Sequence, residues 1–328
     1  MKVLILGGTG MLGSMVAKVL PDEWEVLVTA RTPAPYPYEL VNARWRRFEV
    51  GVPSWQNDLR ELAEGYDWIV NCLGATKPLM GEAAAVACNA HLPKELSALG
   101  PAVIHASTDC VFSGKGGAPY NEHVHADATD GYGQSKAAAD PSGLVTLRCS
   151  IIGPECRSPA RYLLGRTLEG HVSKGWTDHC WNGLTTLAWA RIATAIMEHP
   201  ECVEPGGLHR PALLHLVPQD SCSKDRLVRT ILQAHGRVHP VESVVSGNPT
   251  DTRLDTAYTN RLQQLWRLAG YGVVPPRDRG FLVNQLQRLW SGADATPTIE
   301  EMIDEQAEFC RAELWPPSGV DGWRYWRR

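Results

Sequence analysis

A glycine-rich turn directly after an apolar run at the N-terminus constrains this chain more than any other feature. The run Lys2-Val3-Leu4-Ile5-Leu6 leads into Gly7-Gly8-Thr9-Gly10-Met11-Leu12-Gly13. This pattern predicts a strand joined to a helix through a tight turn, where bare backbone binds a pyrophosphate at the helix N-terminus. A side chain at Gly10 would obstruct that approach. We therefore expect dinucleotide contacts from the turn residues Gly7, Thr9, Gly10, Met11, Leu12 and Gly13.

Apolar runs and helical patterns alternate through the first half of the chain. The strand-like runs cover residues 3–6, 25–29, 48–50, 68–73, 103–107 and 144–148. Between them apolar residues recur at helical spacing, beginning with the crossover that follows Gly10. The alternation predicts an α/β fold with a doubly wound parallel sheet of the Rossmann type and a smaller, discontinuous C-terminal substrate domain.

The alternation weakens beyond residue 153, which sets the expected domain boundary. We assign residues 1–153 to a dinucleotide-binding domain, to which residues from about 183 to 217 also belong. Residues 154–182 and 218–328 are assigned to a substrate-binding domain. The later part is predicted to contain a helix from residue 185 or 186 to 197, a strand at 213–217, a helix starting near Ser223 and an acidic helix at 300–308.

Composition excludes several classes of function. The 328 residues are 44% hydrophobic with a net charge of −4, so the chain can bury a large core and lacks the basic footprint of a nucleic-acid-binding protein. No apolar run approaches the roughly 20 residues that span a bilayer. The cysteines show no Cys-x-x-Cys pair, which favours reduced structural thiols and predicts no metal site. We expect a cytoplasmic protein, with the choice between monomer and homodimer left open.

Two further segments indicate the cofactor. The second predicted strand is followed by Arg31, at the place where an acidic residue would bind the ribose 2′-hydroxyl of NAD. An arginine instead suits the 2′-phosphate of NADPH. The fourth predicted strand brings Cys72, Leu73, Gly74 and Ala75 to the carboxyl edge of the sheet, where ligands bind in doubly wound folds. We predict NADPH as the cofactor, with NADH as the alternative.

Tyr132 and Lys136 indicate proton-transfer chemistry because they stand four residues apart. Helical residues at this spacing are neighbours, so the ammonium favours the phenolate and lets the tyrosine pass a proton at neutral pH. A fall in the tyrosine pKa from about 10 to about 7 corresponds to roughly 4 kcal/mol of differential stabilisation. The pair alone also fits a solvated helix face. Its position downstream of the glycine turn favours a redox site.

The glycine turn is followed along the chain by Ser107-Thr108-Asp109-Cys110-Val111-Phe112-Ser113-Gly114, Tyr120-Asn121-Glu122 and Tyr132-Gly133-Gln134-Ser135-Lys136. In this order the motifs resemble those of extended short-chain dehydrogenases/reductases, and within them the dTDP-4-dehydrorhamnose reductase group of nucleotide-sugar reductases. The segments at 147–153 and 181–186 resemble a bacterial branch that acts on 4-keto-6-deoxy sugars for surface polysaccharides. Cys110 stands where related dehydratases use a glutamate as acid/base, which argues against 4,6-dehydration.

The resemblance implies a role for each matched residue. Thr108 would hydrogen-bond the substrate carbonyl, Tyr132 would donate the proton, and Lys136 would hold the cofactor ribose and stabilise the phenolate. Hydride would come from the nicotinamide. We expect a further group of residues to contact the substrate: Lys77, Asn89, Arg161, Trp176 and Trp181. Each also has a structural alternative. The lysine and the arginine could be solvated charges, the asparagine an ordinary polar helix residue, and the tryptophans core aromatics.

The leading hypothesis is an NADPH-dependent reductase of a nucleotide-linked 4-keto-6-deoxy sugar, in surface polysaccharide or deoxysugar biosynthesis. An epimerase that keeps its NAD bound would use the same tyrosine and is the first alternative. The second is a non-catalytic, cofactor-binding regulatory subunit similar to the β subunit of methionine adenosyltransferase. The intact set of Thr108, Tyr132 and Lys136 favours an enzyme over that subunit.

Overall fold

The first strands are apolar on both faces, which places them at the centre of a parallel sheet covered on both sides. The computed structural model describes residues 1–32, 43–75, 82–139, 144–155, 161–203, 212–271 and 295–314. Its strands are β1 Lys2–Leu6, β2 Glu25–Ala30, β3 Ala43–Arg47, β4 Trp68–Asn71, β5 Ala102–Ser107, β6 Val145–Arg148, β7 Ile151–Ile152, β8 Lys174–Trp176, β9 His179–Trp181, β10 Leu184–Thr185, β11 Ala212–His215, β12 Cys222–Ser223, β13 Glu242–Val244 and β14 Thr250–Asp251.

The helices pack on both faces of the main sheet and form much of the second half of the chain. They are α1 Met11–Val19, α2 Trp55–Ala63, α3 Glu82–Val86, α4 Leu92–Leu96, α5 Gly131–Ala137, α6 Leu163–Leu168, α7 Thr186–Glu198, α8 Lys224–Ala234, α9 Thr259–Leu268 and α10 Ile299–Phe309. Short 3₁₀ turns cover Asp109–Val111 and Pro200–Cys202, and π-helical turns cover Ala87–His91 and Cys310–Leu314. Within the described ranges, no helix is long and apolar enough to cross a membrane.

The main sheet has seven parallel strands in the order β11-β6-β5-β4-β1-β2-β3. The chain winds outward from β1 in one direction and then in the other, so a crevice opens where the strand order reverses. The predicted doubly wound fold is confirmed. β11 pairs with β6 in this sheet although it lies far along the chain, which matches the expected return of the region around residue 213 to the Rossmann unit.

One predicted strand is wrong. Residues 48–50 were expected to form a strand because Phe48 and Val50 are apolar, whereas the third strand is Ala43–Arg47. Among the described strands it pairs with β2 alone, at the edge of the main sheet, and it carries exposed arginines. An edge strand needs no apolar run, so its pattern was not visible in the sequence. Phe48 and Val50 are buried just beyond the end of the strand.

The second half of the chain adds small sheets outside the main one. They are formed by β10 with β7, by β12 with β9 and β14, and by β13 with β8. The predicted helices near residues 186–197, 223 and 300–308 correspond to α7, α8 and α10. The division into two domains at the predicted residues stays a prediction.

Candidate active site

The glycine turn has the geometry that a bound pyrophosphate requires. Gly7 has a φ of +83°, and a Cβ there would lie 2.8 Å from Leu73 Cδ2. The Gly10 amide donates to the Gly7 carbonyl oxygen at 2.9 Å, which closes the turn at the start of α1. Gly10 is the N-cap of α1 and offers no side-chain oxygen to the first helical amides. Those amides therefore remain suited to an anion.

Two residues of the predicted cofactor set act mainly in packing. A Cβ at Gly13 would lie 2.4 Å from the Gly7 carbonyl oxygen, so this glycine lets α1 pack closely on the turn. The Leu12 side chain is 5% exposed and lies in the core, which leaves only its backbone amide for a cofactor.

An open crevice of about 790 Å³ lies at the carboxyl ends of the strands, beside the turn. Most of the predicted cofactor residues line it: Gly7, Thr9, Gly10, Met11, Arg31, Cys72, Leu73 and Gly74. Ala75 does not, because it is 1% exposed and both its amide and its carbonyl are bound by Asn89. Glu155, Arg161 and Tyr162 also line the crevice. Of these, the sequence drew attention only to Arg161, and for the substrate.

Asn89 is a positioning residue, which corrects its assignment to the substrate. It is fully buried on the π-helical turn Ala87–His91. Its amide group binds the Ala75 amide and carbonyl at 2.9 Å each and donates to Ser135 Oγ at 3.0 Å. These bonds tie the segment after β4 to α5, the helix that carries Tyr132 and Lys136.

Thr108 and Tyr132 come together at the carboxyl end of β5. The Thr108 side chain lies close enough to the Tyr132 phenol to act on its pKa, which it lowers. Thr108 is 9% exposed and caps the following 3₁₀ turn by accepting from the Cys110 amide at 3.2 Å. Asp109 binds the Thr108 hydroxyl at 3.2 Å through one oxygen and accepts from Thr252 at 2.7 Å through the other. The Thr108 hydroxyl is thus held in place beside the phenol.

Lys136 lies beneath the cofactor crevice. Its ammonium is 4% exposed and donates to the Ala106 carbonyl oxygen at 2.8 Å. An added Cβ at Gly74 would be 3.8 Å from Lys136 Nζ, so the ammonium lies directly behind a glycine that lines the crevice. The same charge, after burial, lowers the pKa of His105 well below its usual value. The structure therefore places Thr108 beside Tyr132, with Lys136 one helical turn further along α5, and the catalytic roles of the three residues stay predictions.

In the protein without cofactor, Tyr132 is less acidic than an ordinary tyrosine. Burial, followed by the nearby Cys110 and Asp109, raises the pKa of the Tyr132 phenol above its ordinary value, and the Thr108 side chain opposes this shift only in part. The predicted fall toward 7 includes the positive nicotinamide ring of a bound cofactor and stays a prediction. A neutral phenol still holds the proton that a reduction requires.

Gly133 is a site residue that sequence reasoning missed. A Cβ at this position would lie 2.2 Å from the Cys110 carbonyl oxygen and 2.5 Å from the Ala128 Cβ. Glycine lets α5 approach the turn after Thr108, and Asp130 fixes the register by accepting from the Tyr132 and Gly133 amides at 2.9 and 3.2 Å. Gly133 lies inside the Tyr-x-x-x-Lys motif. A glycine in the middle of a predicted helix was the sequence signal that could have indicated a close approach of the backbone.

The predicted substrate residues separate into different groups. Trp181 is 5% exposed, and its indole donates to Ser150 Oγ at 2.9 Å, so it is a core residue and not a stacking platform. Arg161 lines the cofactor crevice. Lys77 lies outside the described residues. Trp176 is the member of this group that is still suited to stack on a substrate, because 41% of its surface is exposed.

Trp176 belongs to a patch that the sequence did not reveal. Its ring lies 4.4 Å from that of His179, and Lys224 Nζ lies 5.8 Å from its centroid. Lys224 is the first residue of α8 and also lowers the pKa of Cys110, against larger opposing effects from Asp109 and burial that raise it to about 12. We call Trp176, His179 and Lys224 the tryptophan patch.

Comparisons with known proteins agree with this geometry. Residues 1–144 match the family model described as the RmlD substrate binding domain. Over these residues the chain is similar to the extended short-chain dehydrogenases/reductases that its motifs resemble. Within these reductases it resembles the dTDP-4-dehydrorhamnose reductase group, and the resemblance proposed from the motifs is confirmed. No curated protein matches the sequence.

Solved structures share the fold along nearly the whole chain. A dTDP-4-dehydrorhamnose reductase from Clostridium acetobutylicum matches with a TM-score of 0.65 at 17% identity, covering 94% of this chain and 99% of that one. The Bacillus anthracis enzyme of that name, in complex with NADP, gives 0.64 at 15%, covering 92% and 97%. A UDP-glucuronic acid 4-epimerase from Bacillus cereus, with UDP-glucuronic acid and NAD, gives 0.64 at 14%, covering 94% and 98%. At these identities the structures establish the fold alone.

Proposed function

We propose that this protein is a cytoplasmic, NADPH-dependent reductase of a nucleotide-linked 4-keto-6-deoxy sugar, acting in surface polysaccharide or deoxysugar biosynthesis. One observation carries the proposal: Thr108 lies beside the Tyr132 phenol, and Lys136, one turn further along α5, has its ammonium directly behind the glycine that lines the crevice. Two neighbouring hydroxyls suit a carbonyl oxygen, which can accept a hydrogen bond from each.

The residues fit a nicotinamide dinucleotide, which supplies the hydride when bound. The cradle at Gly7 and Gly10 leaves no room for side chains, and the amides of α1 face an anion. Tyr132 donates its proton to the carbonyl oxygen as hydride reaches the carbon, and Thr108 stabilises the charge that develops on that oxygen. The phenolate that remains lies near the Lys136 ammonium, which also suits the cofactor ribose. The product is an alcohol, and solvent returns the proton to Tyr132.

Arg31 supports NADPH as the reductant. It follows β2, is exposed and lines the crevice beside the glycine turn. A guanidinium there can bind the 2′-phosphate in a bidentate manner, whereas an NAD-selective site would place a carboxylate on the ribose hydroxyls.

The tryptophan patch supports a substrate in which the sugar is linked to a nucleotide. An exposed indole with an adjacent imidazole provides a flat surface for a base, and Lys224 at the N-terminus of α8 provides positive charge for a diphosphate. Lys224 also lowers the pKa of Cys110, the residue two positions after Thr108. In this proposal the base and the diphosphate bind at the patch, and the ketosugar reaches the phenol.

NADPH oxidation with a panel of dTDP-, UDP- and GDP-4-keto-6-deoxy sugars tests the proposal. We expect one nucleotide series to be reduced, with the new alcohol at C4 identified by NMR. Isomerisation of a nucleotide sugar by protein purified with bound NAD would instead show an epimerase. No turnover of any sugar, together with tight binding to another enzyme, would show a regulatory subunit.

A further inference from the structure

One wall of the cofactor crevice comes from a segment outside every glycine motif. Glu155, Arg161 and Tyr162 line the crevice together with Gly7 and Gly10. The chain reaches Glu155 after β6 and β7, and β6 lies on the far side of β5 and β4 from β1. Arg31 follows β2, on the other side of β1. The two arginines therefore approach the glycine turn from opposite flanks.

Glu155 holds this wall in place. It is 6% exposed, and its Oε2 accepts from the Tyr162 amide at 2.8 Å. Burial raises the pKa of the Glu155 carboxyl to about 7, against the opposing effects of the Tyr162 amide and the Arg161 guanidinium. A carboxyl that is about half protonated at neutral pH repels a neighbouring anion less than a fully ionised one would.

Arg161 is the cation of this wall. The residue is exposed, and its guanidinium carbon lies 6.0 Å from the centroid of the Tyr162 ring. Tyr162 lines the crevice with the glycine turn and also contributes to the raised pKa of Tyr132, so the wall is near both the glycine turn and the phenol. In a dinucleotide bound with its nicotinamide at Tyr132 and its 2′-phosphate at Arg31, the group between these two ends is the pyrophosphate.

We propose that Arg161 binds the pyrophosphate of the cofactor from the wall opposite the glycine turn, and that Glu155 is its positioning residue. The pyrophosphate then lies between the α1 amides and a guanidinium, which offers the planar, bidentate contact that phosphate oxygens accept. The inference rests on the proposed function because it takes the crevice as the dinucleotide site. It moves Arg161 from the substrate to the cofactor.

Equilibrium binding of NADPH and NADH, followed by nicotinamide fluorescence in the purified full chain, tests the role of Arg161. Arg161→Met should weaken both cofactors by the same factor, about tenfold, because both carry the pyrophosphate. Arg31→Met should weaken NADPH alone. Arg166→Met is the matched control, since Arg166 is exposed on α6 outside the crevice lining, and its affinities should equal those of the wild type.

Each other outcome overturns the inference in a recognisable way. Unchanged binding of both cofactors in Arg161→Met would remove Arg161 from the site. A loss for NADPH alone would assign it to the 2′-phosphate, and a raised KM for the sugar with unchanged cofactor binding would return it to the substrate. If the wild type bound neither cofactor, the proposed function would fail as well.

A double-mutant cycle tests Glu155 as the positioning residue. Glu155→Gln keeps an acceptor for the Tyr162 amide and should retain cofactor affinity, whereas Glu155→Leu should weaken it. In the Arg161→Met background, Glu155→Leu should have no further effect, because Glu155 acts through Arg161. Additive losses would overturn the positioning role. Thermal unfolding of each variant confirms that the folded protein is being compared.

Discussion

Tyr132 is a partly buried residue, and desolvation raises the pKa of its phenol despite the lysine one helical turn away. Because the pKa of the phenol is raised in the protein without cofactor, Tyr132 is protonated at neutral pH and can donate its proton. The Thr108 hydroxyl is the neighbour that opposes this shift. It is also the hydroxyl best placed to stabilise charge on a substrate oxygen.

Thr108→Val should therefore slow turnover strongly. Loss of one preorganised donor to a developing oxyanion costs about a hundredfold in kcat. Thr108→Ser keeps the hydroxyl and should retain most activity, which makes it the matched control. Steady-state rates with the preferred ketosugar and NADPH measure the effect. A valine variant as active as the serine variant would show that the hydroxyl plays no part.

Glu155→Gln should change how stability depends on pH. The folded carboxyl has a pKa of about 7, against 4.5 for the ordinary group, because burial disfavours its charged form. The native state thus retains a proton that the unfolded chain releases between these values, and wild-type stability falls as pH rises through this window. Thermal unfolding from about pH 5 to pH 8 should show the variant gaining Tm relative to the wild type. A difference that is constant with pH would contradict the raised pKa.

Trp176→Ala should raise KM for the nucleotide sugar more than it lowers kcat. Stacking of a base on an aromatic ring contributes about 1–3 kcal/mol, so a rise in KM of about tenfold is expected. Trp176→Phe keeps a flat ring and should lose less. Cofactor affinity should be unchanged in both. An unaltered KM in the alanine variant would remove the tryptophan patch from the substrate site.

At the scale of single elements, α5 holds Tyr132 beside Thr108 because the helix packs very close to the turn after β5. Gly133→Ala would place a methyl group 2.2 Å from the Cys110 carbonyl oxygen, so the helix must move away from Thr108. We expect a loss of activity and a lower Tm, although alanine favours helix by about 1 kcal/mol. Gly100→Ala is the control, because no atom lies within 4 Å of its Cβ position. A Gly133→Ala variant with full activity would show that this close approach is not needed.

Sequence predicted the elements whose signals are local. The strand, glycine turn and α1 form a continuous pattern, and the tyrosine and lysine share one helix. β3 escaped prediction because its pairing with β2, not its composition, makes it a strand. Asn89 was misassigned because its partners Ala75 and Ser135 are distant in sequence, and a polar residue in a helical region does not reveal them.

At the scale of the whole molecule, the proposed cofactor half and the proposed substrate half of the site differ in how well the sequence predicted their residues. The cofactor half is built at the tips of parallel strands, where fold and motif predict each other, and most of its residues line the crevice. The substrate half joins β8, β9 and the start of α8, whose contacts depend on tertiary packing. The role of Arg161 likewise depends on where the chain returns after β7.

The behaviour of Tyr132→Phe tests the central claim most directly. The variant keeps the ring and loses only the proton that the proposed reduction requires. Positioned general acids contribute about 10²–10⁴ in rate, so NADPH oxidation with the preferred 4-ketosugar should fall by about a thousandfold, while the Kd for NADPH stays at the wild-type value. A variant that reduces the sugar at the wild-type rate would contradict the account.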